Sequence, residues 1–166
     1  MTIHVLARAV IIIDHQILLA YDPRLQPHHY YELDKEFYYL PGGHIEHHES
    51  AADAVIREIS EETNHDATVE RFLGVIEHAW QFKGDDICCH THEINMIFKM
   101  HLQDLKSAIS ISQIEKHVAF RWVSLDQLSE IDLRPECLKT YLFRWLNENH
   151  HDAIVSRFPE HKFAGK

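Results

Sequence analysis

Residues 40–65 read LPGGHIEHHESAADAVIREISEETNH, a Pro-Gly-Gly turn followed by a segment with helical periodicity. The pattern predicts a helix over Ser50–Thr63. Glu58, Glu61 and Glu62 fall within about 100° of one another around that helix. Like charges at these spacings destabilise an isolated helix by roughly a few tenths of a kcal/mol per pair. A hard divalent cation with oxygen ligands would offset this repulsion and turn the cluster into a binding site.

The apolar residues of the predicted helix lie on a different face from its carboxylates. They recur with helical spacing and point roughly 120° away from the mean direction of the three glutamates. These positions are Ala52, Val55, Ile56 and Ile59. Ser50, with Asp53 three residues later, is typical of a capping box at a helix start. We therefore expect one face of the helix to pack on a sheet while the other presents carboxylates to a cleft.

The spacing of the stretch resembles the Nudix box, a long motif that is far more specific than a lone glycine-rich loop. An aliphatic position, Ile59, matches the box, and so do its six defining positions, which are Gly43, Glu49, Arg57, Glu58, Glu61 and Glu62. Two positions depart, since Asn64 replaces a glycine and His65 replaces an aliphatic residue. Asparagine is the next best residue for a left-handed helix C-cap, so the first departure is expected to be tolerated. Neither departure touches a predicted ligand.

The resemblance implies a metal site and a supporting ion pair. The implied cofactor is Mg²⁺ or Mn²⁺. Its implied ligands are the main-chain carbonyl of Gly43 and the carboxylates of Glu58, Glu61 and Glu62. Glu49 and Arg57 would form a salt bridge that ties the turn to the helix and orients the carboxylates.

The resemblance also implies the reaction, which is hydrolysis of a nucleoside diphosphate linked to another moiety X. A carboxylate would accept the proton of the attacking water. The candidates are Glu61 and Glu62 on the helix and Glu115 in the loop before the last predicted strand, with Asp104 second in that region. The family acts on mutated nucleotides, sugar nucleotides, ADP-ribose, dinucleoside polyphosphates and capped RNA. The acidic net charge makes long RNA the least favoured of these, and the sequence does not select among the small-molecule substrates.

Two other functions compete with the hydrolase. A non-catalytic sensor of the same fold would bind a nucleotide or diphosphate and regulate a partner, although all the box ligands are present. Alternatively, the glutamates form only a solvated helix face, in which case Gly43, Glu49 and Arg57 match the box by accident.

Four residues outside the box are candidate substrate contacts. Arg8 interrupts an apolar strand, where it either faces solvent or contacts a phosphate. Tyr30 and Tyr31 lie in a loop without periodicity just before the box, and loops on a rigid scaffold often carry specificity. Glu93 lies within a predicted strand, where an acid is unusual unless it is paired, faces a cleft or lies on an edge strand.

Composition narrows the partners. The hydrophobic content of 45% and the charged content of 25% are ordinary for a globular protein. The formal net charge of −10 disfavours non-specific binding to nucleic acid or to an anionic membrane. We find neither an apolar run of membrane-spanning length nor a signal-peptide pattern, so a cytoplasmic protein is expected. The oligomeric state is open, with a homodimer as one option because homodimers are common in the family.

The element order predicts an α/β (α+β) fold. Strands are expected over Ile3–Ile13, Gln16–Tyr21, Phe37–Leu40, His44–Glu46, Ala67–Trp80, Ile87–His101 and His117–Val123. A second helix is expected from Pro135 to about Asn149, and the tail from His150 to Lys166 is expected to form a short helix or to contact a second subunit. Together with the resemblance, these elements predict one domain over residues 1–166, the Nudix fold, in which an α/β/α sandwich encloses a curved mixed sheet.

Overall fold

The computed structural model describes residues 3–24, 37–79, 92–147 and 154–157. Its strands are β1 (His4–Ile13), β2 (Gln16–Tyr21), β3 (Gly42–His44), β4 (Ala67–Ala79), β5 (His92–Leu102), β6 (Ala119–Ser124) and β7 (Ile154–Arg157). Its α-helices are α1 (Ala51–Thr63) and α2 (Leu138–Leu146), and a 3₁₀ turn spans Leu125–Gln127.

The described strands form one mixed sheet in the order β6-β2-β1-β5-β4-β7, and β3 pairs with β1 beside this path. The β1–β5 and β4–β7 pairs are parallel, whereas the other pairs are antiparallel. β2 pairs with β1 at Ile12 and Ile13, and β3 pairs with β1 nearer its start, at residues 6–8. The split edge places the Pro-Gly-Gly turn against the middle of the sheet.

Two apolar cores cover the two faces of the sheet. One contains Ala54, Val55 and Ile59 of α1 together with Ala7 and Phe98 of the sheet. The other contains Leu138, Leu142 and Trp145 of α2 together with Val10, Ile76 and Ile97. The predicted sandwich with one helix on each face is therefore confirmed.

Helix α1 begins and ends through local contacts. The hydroxyl of Ser50 accepts from the N–H of Asp53 at 3.1 Å. Asn64 has φ 56° and ψ 32°, and its N–H donates to the carbonyl of Ser60. The predicted N-cap and left-handed C-cap are both present.

Three segments differ from the sequence prediction. Residues 37–40 form no strand, because Tyr38 and Tyr39 make only isolated bridges to Leu133 and Ala20. The strand predicted at 44–46 lies earlier, at Gly42–His44, where the turn itself pairs with β1. In the tail, residues 154–157 form a strand parallel to β4, so the predicted helix is wrong there. Among the described residues, no helix is long and apolar enough to cross a membrane.

Candidate active site

The Pro-Gly-Gly turn is held against β1 by main-chain contacts. Strand pairing sets Gly43 opposite Ala7 and Gly42 opposite Arg8. Gly42 has a φ of 116°, and a Cβ atom there would lie 2.3 Å from the carbonyl oxygen of Ala7. Both the backbone conformation and the close approach therefore require glycine at this position.

Gly42 connects two charged side chains. Its N–H donates to Oε2 of Glu62 at 3.1 Å, and its carbonyl accepts from Nη1 of Arg8. The same Nη1 donates to the carbonyl of Leu40 at 3.2 Å. The main chain of one glycine thus holds two charged side chains, a carboxylate through its N–H and a guanidinium through its carbonyl.

Glu62 is buried at the C-terminal end of α1, with 6% of its surface exposed. Burial raises its pKa to about 7, while the Gly42 N–H and the charge of Arg8 act in the opposite direction. The carboxylates of Glu58 and Glu115 add to the rise in the pKa. In the absence of a metal ion, the carboxyl group of Glu62 therefore titrates near neutral pH.

Arg57 is the centre of an ion-pair network on the exposed side of α1. Its Nη2 and Nε donate to the two oxygens of Glu49 at 2.8 and 3.2 Å, and Nη2 also donates to the carbonyl of His44 at 3.0 Å. Its Nη1 donates to Glu58 at 3.0 Å and to Glu61 at 3.1 Å. The hydrogen bonds from Arg57 lower the pKa of Glu49. The predicted Glu49–Arg57 pair is present, and it ties the turn to the helix.

Glu58 is packed against Gly43. A Cβ atom at residue 43 would lie 2.5 Å from the Glu58 carboxylate, so the missing side chain makes room for that carboxylate. Burial raises the pKa of Glu58, and Arg57 opposes this effect.

The donor set around this turn suits a hard cation. The three helix carboxylates and the nearby main-chain carbonyls offer oxygen atoms alone, which Mg²⁺ and Mn²⁺ prefer. Within the described residues, no three His, Cys, Asp or Glu side chains are arranged to hold an ion as they stand. Glu58 and Glu61 instead converge on the guanidinium of Arg57. The donor chemistry and the space at Gly43 fit the cation, and binding requires these two side chains to turn from Arg57.

The remaining base candidates lie outside the helix. Glu115 contributes to the raised pKa of Glu62, and Nε2 of His117 lies 3.0 Å from one of its oxygens. Asp104 is exposed just after β5. Tyr30 and Tyr31 lie outside the described residues, so their predicted substrate contacts stay predictions.

A cleft of about 170 Å³ opens beside Arg8 on the α2 face of the sheet. Arg8 and Glu93, both predicted from the sequence, line it. The other lining residues are Phe37, Tyr39, Leu40, Asn95, Ile97, Arg134, Pro135 and Leu138. The guanidinium carbon of Arg8 lies 5.5 Å from the centre of the Tyr39 ring.

Sequence reasoning missed Asn95, Tyr39 and Arg134 in this cleft. Asn95 is 3% exposed and accepts from Nε of Arg8 at 3.4 Å. The only signal for it in the sequence was its place two residues after Glu93 on the same face of a strand. Arg134 is fixed by Asp132, two residues earlier, through contacts of 2.6 and 3.0 Å. An arginine two residues after an aspartate is too common a pattern to indicate a site.

The sheet with its split edge, the Gly-Gly turn and the glutamate helix together define a class of protein. The NUDIX domain family model matches residues 3–146, most of the chain. The chain therefore belongs to the Nudix family and is a hydrolase that acts on phosphoric anhydride bonds.

Solved structures share this fold. A MutT NUDIX hydrolase from Burkholderia pseudomallei is 25% identical, with a TM-score of 0.53 over 76% of this chain and 86% of that chain. A UDP-X diphosphatase is 22% identical, with a TM-score of 0.63 over 95% of this chain and 68% of that chain. An ADP-ribose pyrophosphatase from Streptococcus suis is 18% identical, with a TM-score of 0.53 over 94% and 98% of the two chains. Among curated proteins, none matches the sequence at a significant level.

Proposed function

We propose that this chain is a Mg²⁺- or Mn²⁺-dependent pyrophosphohydrolase that cleaves a nucleoside diphosphate linked to another moiety X. The observation that carries the proposal is the arrangement at Gly42, which fixes the buried carboxylate of Glu62 and the guanidinium of Arg8 at one point. This point lies between the glutamate helix and the cleft beside Arg8. A diphosphate bound there would have carboxylates on one side and a cation on the other.

The metal is assigned to the carbonyl of Gly43 and the carboxylates of Glu58, Glu61 and Glu62. When bound, it supplies charge neutralisation to the diphosphate and lowers the pKa of water at the site. Arg57 holds the loop and the helix together through Glu49 and the carbonyl of His44, so that Gly43 stays beside the glutamate helix.

The chain itself supplies the base and a positive charge. Glu62, which accepts a hydrogen bond from the Gly42 N–H, is one candidate for the group that takes the proton of the attacking water. Glu61 and Glu115 are the other two candidates, and neighbouring carboxylates titrate as a group. Arg8 would contact the diphosphate from the sheet, where its position is fixed by Leu40, Gly42 and Asn95.

A small nucleotide-type diphosphate is the proposed substrate. The names of two structural neighbours, a UDP-X diphosphatase and an ADP-ribose pyrophosphatase, refer to such compounds. The net charge of −10 disfavours a long RNA, because binding a phosphate polymer requires a surplus of positive charge. The cleft beside Arg8 is large enough for one part of a nucleotide and not for a polymer.

Hydrolysis of a panel of nucleoside diphosphate–X compounds with Mg²⁺, followed by product identification, tests the proposal. Glu62→Gln should lower turnover at least about 100-fold, the range expected for loss of a general base or a metal ligand. Glu70→Gln is the matched control, since Glu70 pairs with Lys99 on an exposed part of the sheet. Unchanged turnover in Glu62→Gln would refute the site. An absence of turnover in the wild type, despite stabilisation by nucleotides, would favour the non-catalytic sensor.

A further inference from the structure

We infer that the cleft beside Arg8 is a base-recognition site selective for guanine, in which Glu93 reads the two adjacent N–H groups of the base. The inference rests on the proposed function, because it names the nucleoside of the diphosphate substrate. It depends on three features of the cleft, which are its shape, the hydrogen bonds at its polar end and the chemistry of a carboxylate in that place.

The shape suits one flat heterocycle. The rings of Phe37 and Tyr39 line the cleft with their centroids 6.1 Å apart, together with Pro135 and Leu138 at the start of α2. The volume of about 170 Å³ is well below the roughly 300–1,000 Å³ typical of sites for whole ligands. Aromatic faces stack on any nucleobase, so the walls favour a base without choosing among bases.

The polar end of the cleft is ordered by a short hydrogen-bond chain. Nε of Arg8 donates to Oδ1 of Asn95 at 3.4 Å, and Nδ2 of Asn95 donates to Oε2 of Glu93 at 3.4 Å. Because the amide oxygen faces a guanidinium, the amide nitrogen must face Glu93. Asn95 thus couples the orientation of the Glu93 carboxylate to Arg8, the residue proposed to contact the diphosphate.

Glu93 offers the cleft an acceptor that forms no ion pair with a lysine or arginine of the described residues. Among the described residues, Asn95 is its hydrogen-bond partner. His78 stands opposite Glu93 on β4, and burial lowers the pKa of His78, which keeps its ring neutral near pH 7. A half-buried carboxylate in mid-sheet is costly unless donors satisfy it, which a ligand can do.

Arg134, which also lines the cleft, supplies hydrogen-bond donors. Its Nε and Nη2 donate to Asp132 at 2.6 and 3.0 Å, which fixes the plane of the guanidinium. Within the described part of the chain, Nη1 makes no such contact and is therefore available to an acceptor on the ligand. The cleft thus presents a fixed acceptor pair and a fixed donor.

Guanine is the base whose edge matches a carboxylate with a donor nearby. An ionised carboxylate only accepts, and it binds best to two parallel N–H donors. Guanine carries such a pair, N1–H and the 2-amino group, with the acceptors O6 and N7 on its other edges. Adenine and cytosine place a ring acceptor beside their amino group, and uracil flanks its N–H with two carbonyls. Each of these would set a lone pair against Glu93.

Steady-state kinetics with one sugar and different bases tests this assignment. With nucleoside diphosphate sugars that carry guanine, hypoxanthine or adenine, kcat/KM should be at least about tenfold higher for guanine than for hypoxanthine, which lacks the 2-amino group. Glu93→Gln should reduce this ratio to near 1, whereas Glu70→Gln should leave it unchanged. Equal rates for guanine and hypoxanthine in the wild type, or a ratio unchanged in Glu93→Gln, would overturn the inference while leaving the hydrolase intact.

Calorimetric binding of GDP, IDP and ADP separates this inference from the proposed function. Preferential binding of GDP that Glu93→Gln abolishes supports the base site even if the protein hydrolyses none of the substrates. Equal binding of the three nucleotides, or no binding of any, overturns it. Thermal unfolding of Glu93→Gln checks that a lost preference does not reflect a lost fold, and Glu93→Ala, which removes both oxygens, should abolish the same preference.

Discussion

The glutamate helix and the cleft beside Arg8 lie on opposite faces of one sheet. They differ in whether one stretch of the chain or several distant segments form them. The helix, its caps and the Gly-Gly turn come from one continuous stretch, residues 42–64. The cleft instead combines β1, β5, the segment before β3 and the start of α2. The two regions meet at Gly42, which contacts Glu62 through its N–H and Arg8 through its carbonyl.

The difference shows what fixes the positions of the side chains in each region. In the glutamate helix, main-chain geometry fixes the side chains, so a change that displaces a carboxylate should lower turnover, and a change that distorts the main chain should lower stability as well. In the cleft, the register of distant strands fixes the side chains, so changes such as Glu93→Gln should alter substrate preference and leave unfolding nearly unchanged.

The adjacent glycines offer the sharpest test within the helix region. Gly42→Ala forces a Cβ into the carbonyl of Ala7 at a positive φ, and should lower the free energy of unfolding by at least about 3 kcal/mol. Gly43→Ala meets only the movable end of Glu58, so it should change stability by less than about 1 kcal/mol. Its turnover should nevertheless fall about tenfold or more, because Glu58 is displaced.

Urea denaturation and steady-state turnover of the two glycine variants provide the measurements. Equal losses of stability in both variants would show that the turn adapts, and that main-chain contact with β1 does not fix it. Normal turnover in Gly43→Ala would remove Glu58 from the site.

The pH dependence of stability tests the burial of Glu62. Its pKa is about 7 in the folded protein, against 4.5 for an ordinary glutamate, so the folded state holds the proton more tightly. The free energy of unfolding should therefore decrease as pH rises from 4.5 to about 7, by about 3 kcal/mol in total from this group. The charges acting on Glu62 are those of Arg8, Glu58 and Glu115.

Metal-free wild type and Glu62→Gln are to be unfolded in urea across this pH range. The wild type should lose stability relative to the variant as the pH rises, since glutamine cannot ionise. A difference between the two proteins that stays constant with pH would mean that Glu62 is solvated. Such a result would also weaken its assignment as the base.

The same contrast explains how much the sequence could predict. The helix was predicted within one residue at its start, and its two caps were predicted correctly, because capping and periodicity are local properties. The Glu49–Arg57 pair is present as the resemblance to the Nudix box implies, although its spacing alone does not predict it, because Glu49 precedes the helix. For the cleft, Arg8 and Glu93 could be predicted as isolated exceptions in apolar strands.

The rest of the cleft depends on long-range pairing that no local pattern encodes. Asn95 contacts Arg8 because β1 and β5 are parallel neighbours in a particular register. Arg134 lies beside the cleft because Leu133 forms a bridge with Tyr38. The strand at 154–157 was mistaken for part of a helix because four residues are too few to show a period, and its partner β4 lies far upstream. Residues 37–40 have strand-like composition, but their neighbours offer single bridges only.

The smallest effect is expected at Asn64, the first departure from the Nudix box. Its left-handed conformation, φ 56° and ψ 32°, is costly for most residues but inexpensive for asparagine and glycine. Asn64→Ala should therefore lower the free energy of unfolding by about 1 kcal/mol, and Asn64→Gly should change it by less than about 0.5 kcal/mol. Urea denaturation measures both changes. Because Asn64 is exposed and ends the helix just after Glu62, neither variant should alter the guanine-to-hypoxanthine ratio set by the cleft. A shift in that ratio would mean that a change at the end of the helix alters base selectivity in the cleft, through the contacts of Gly42.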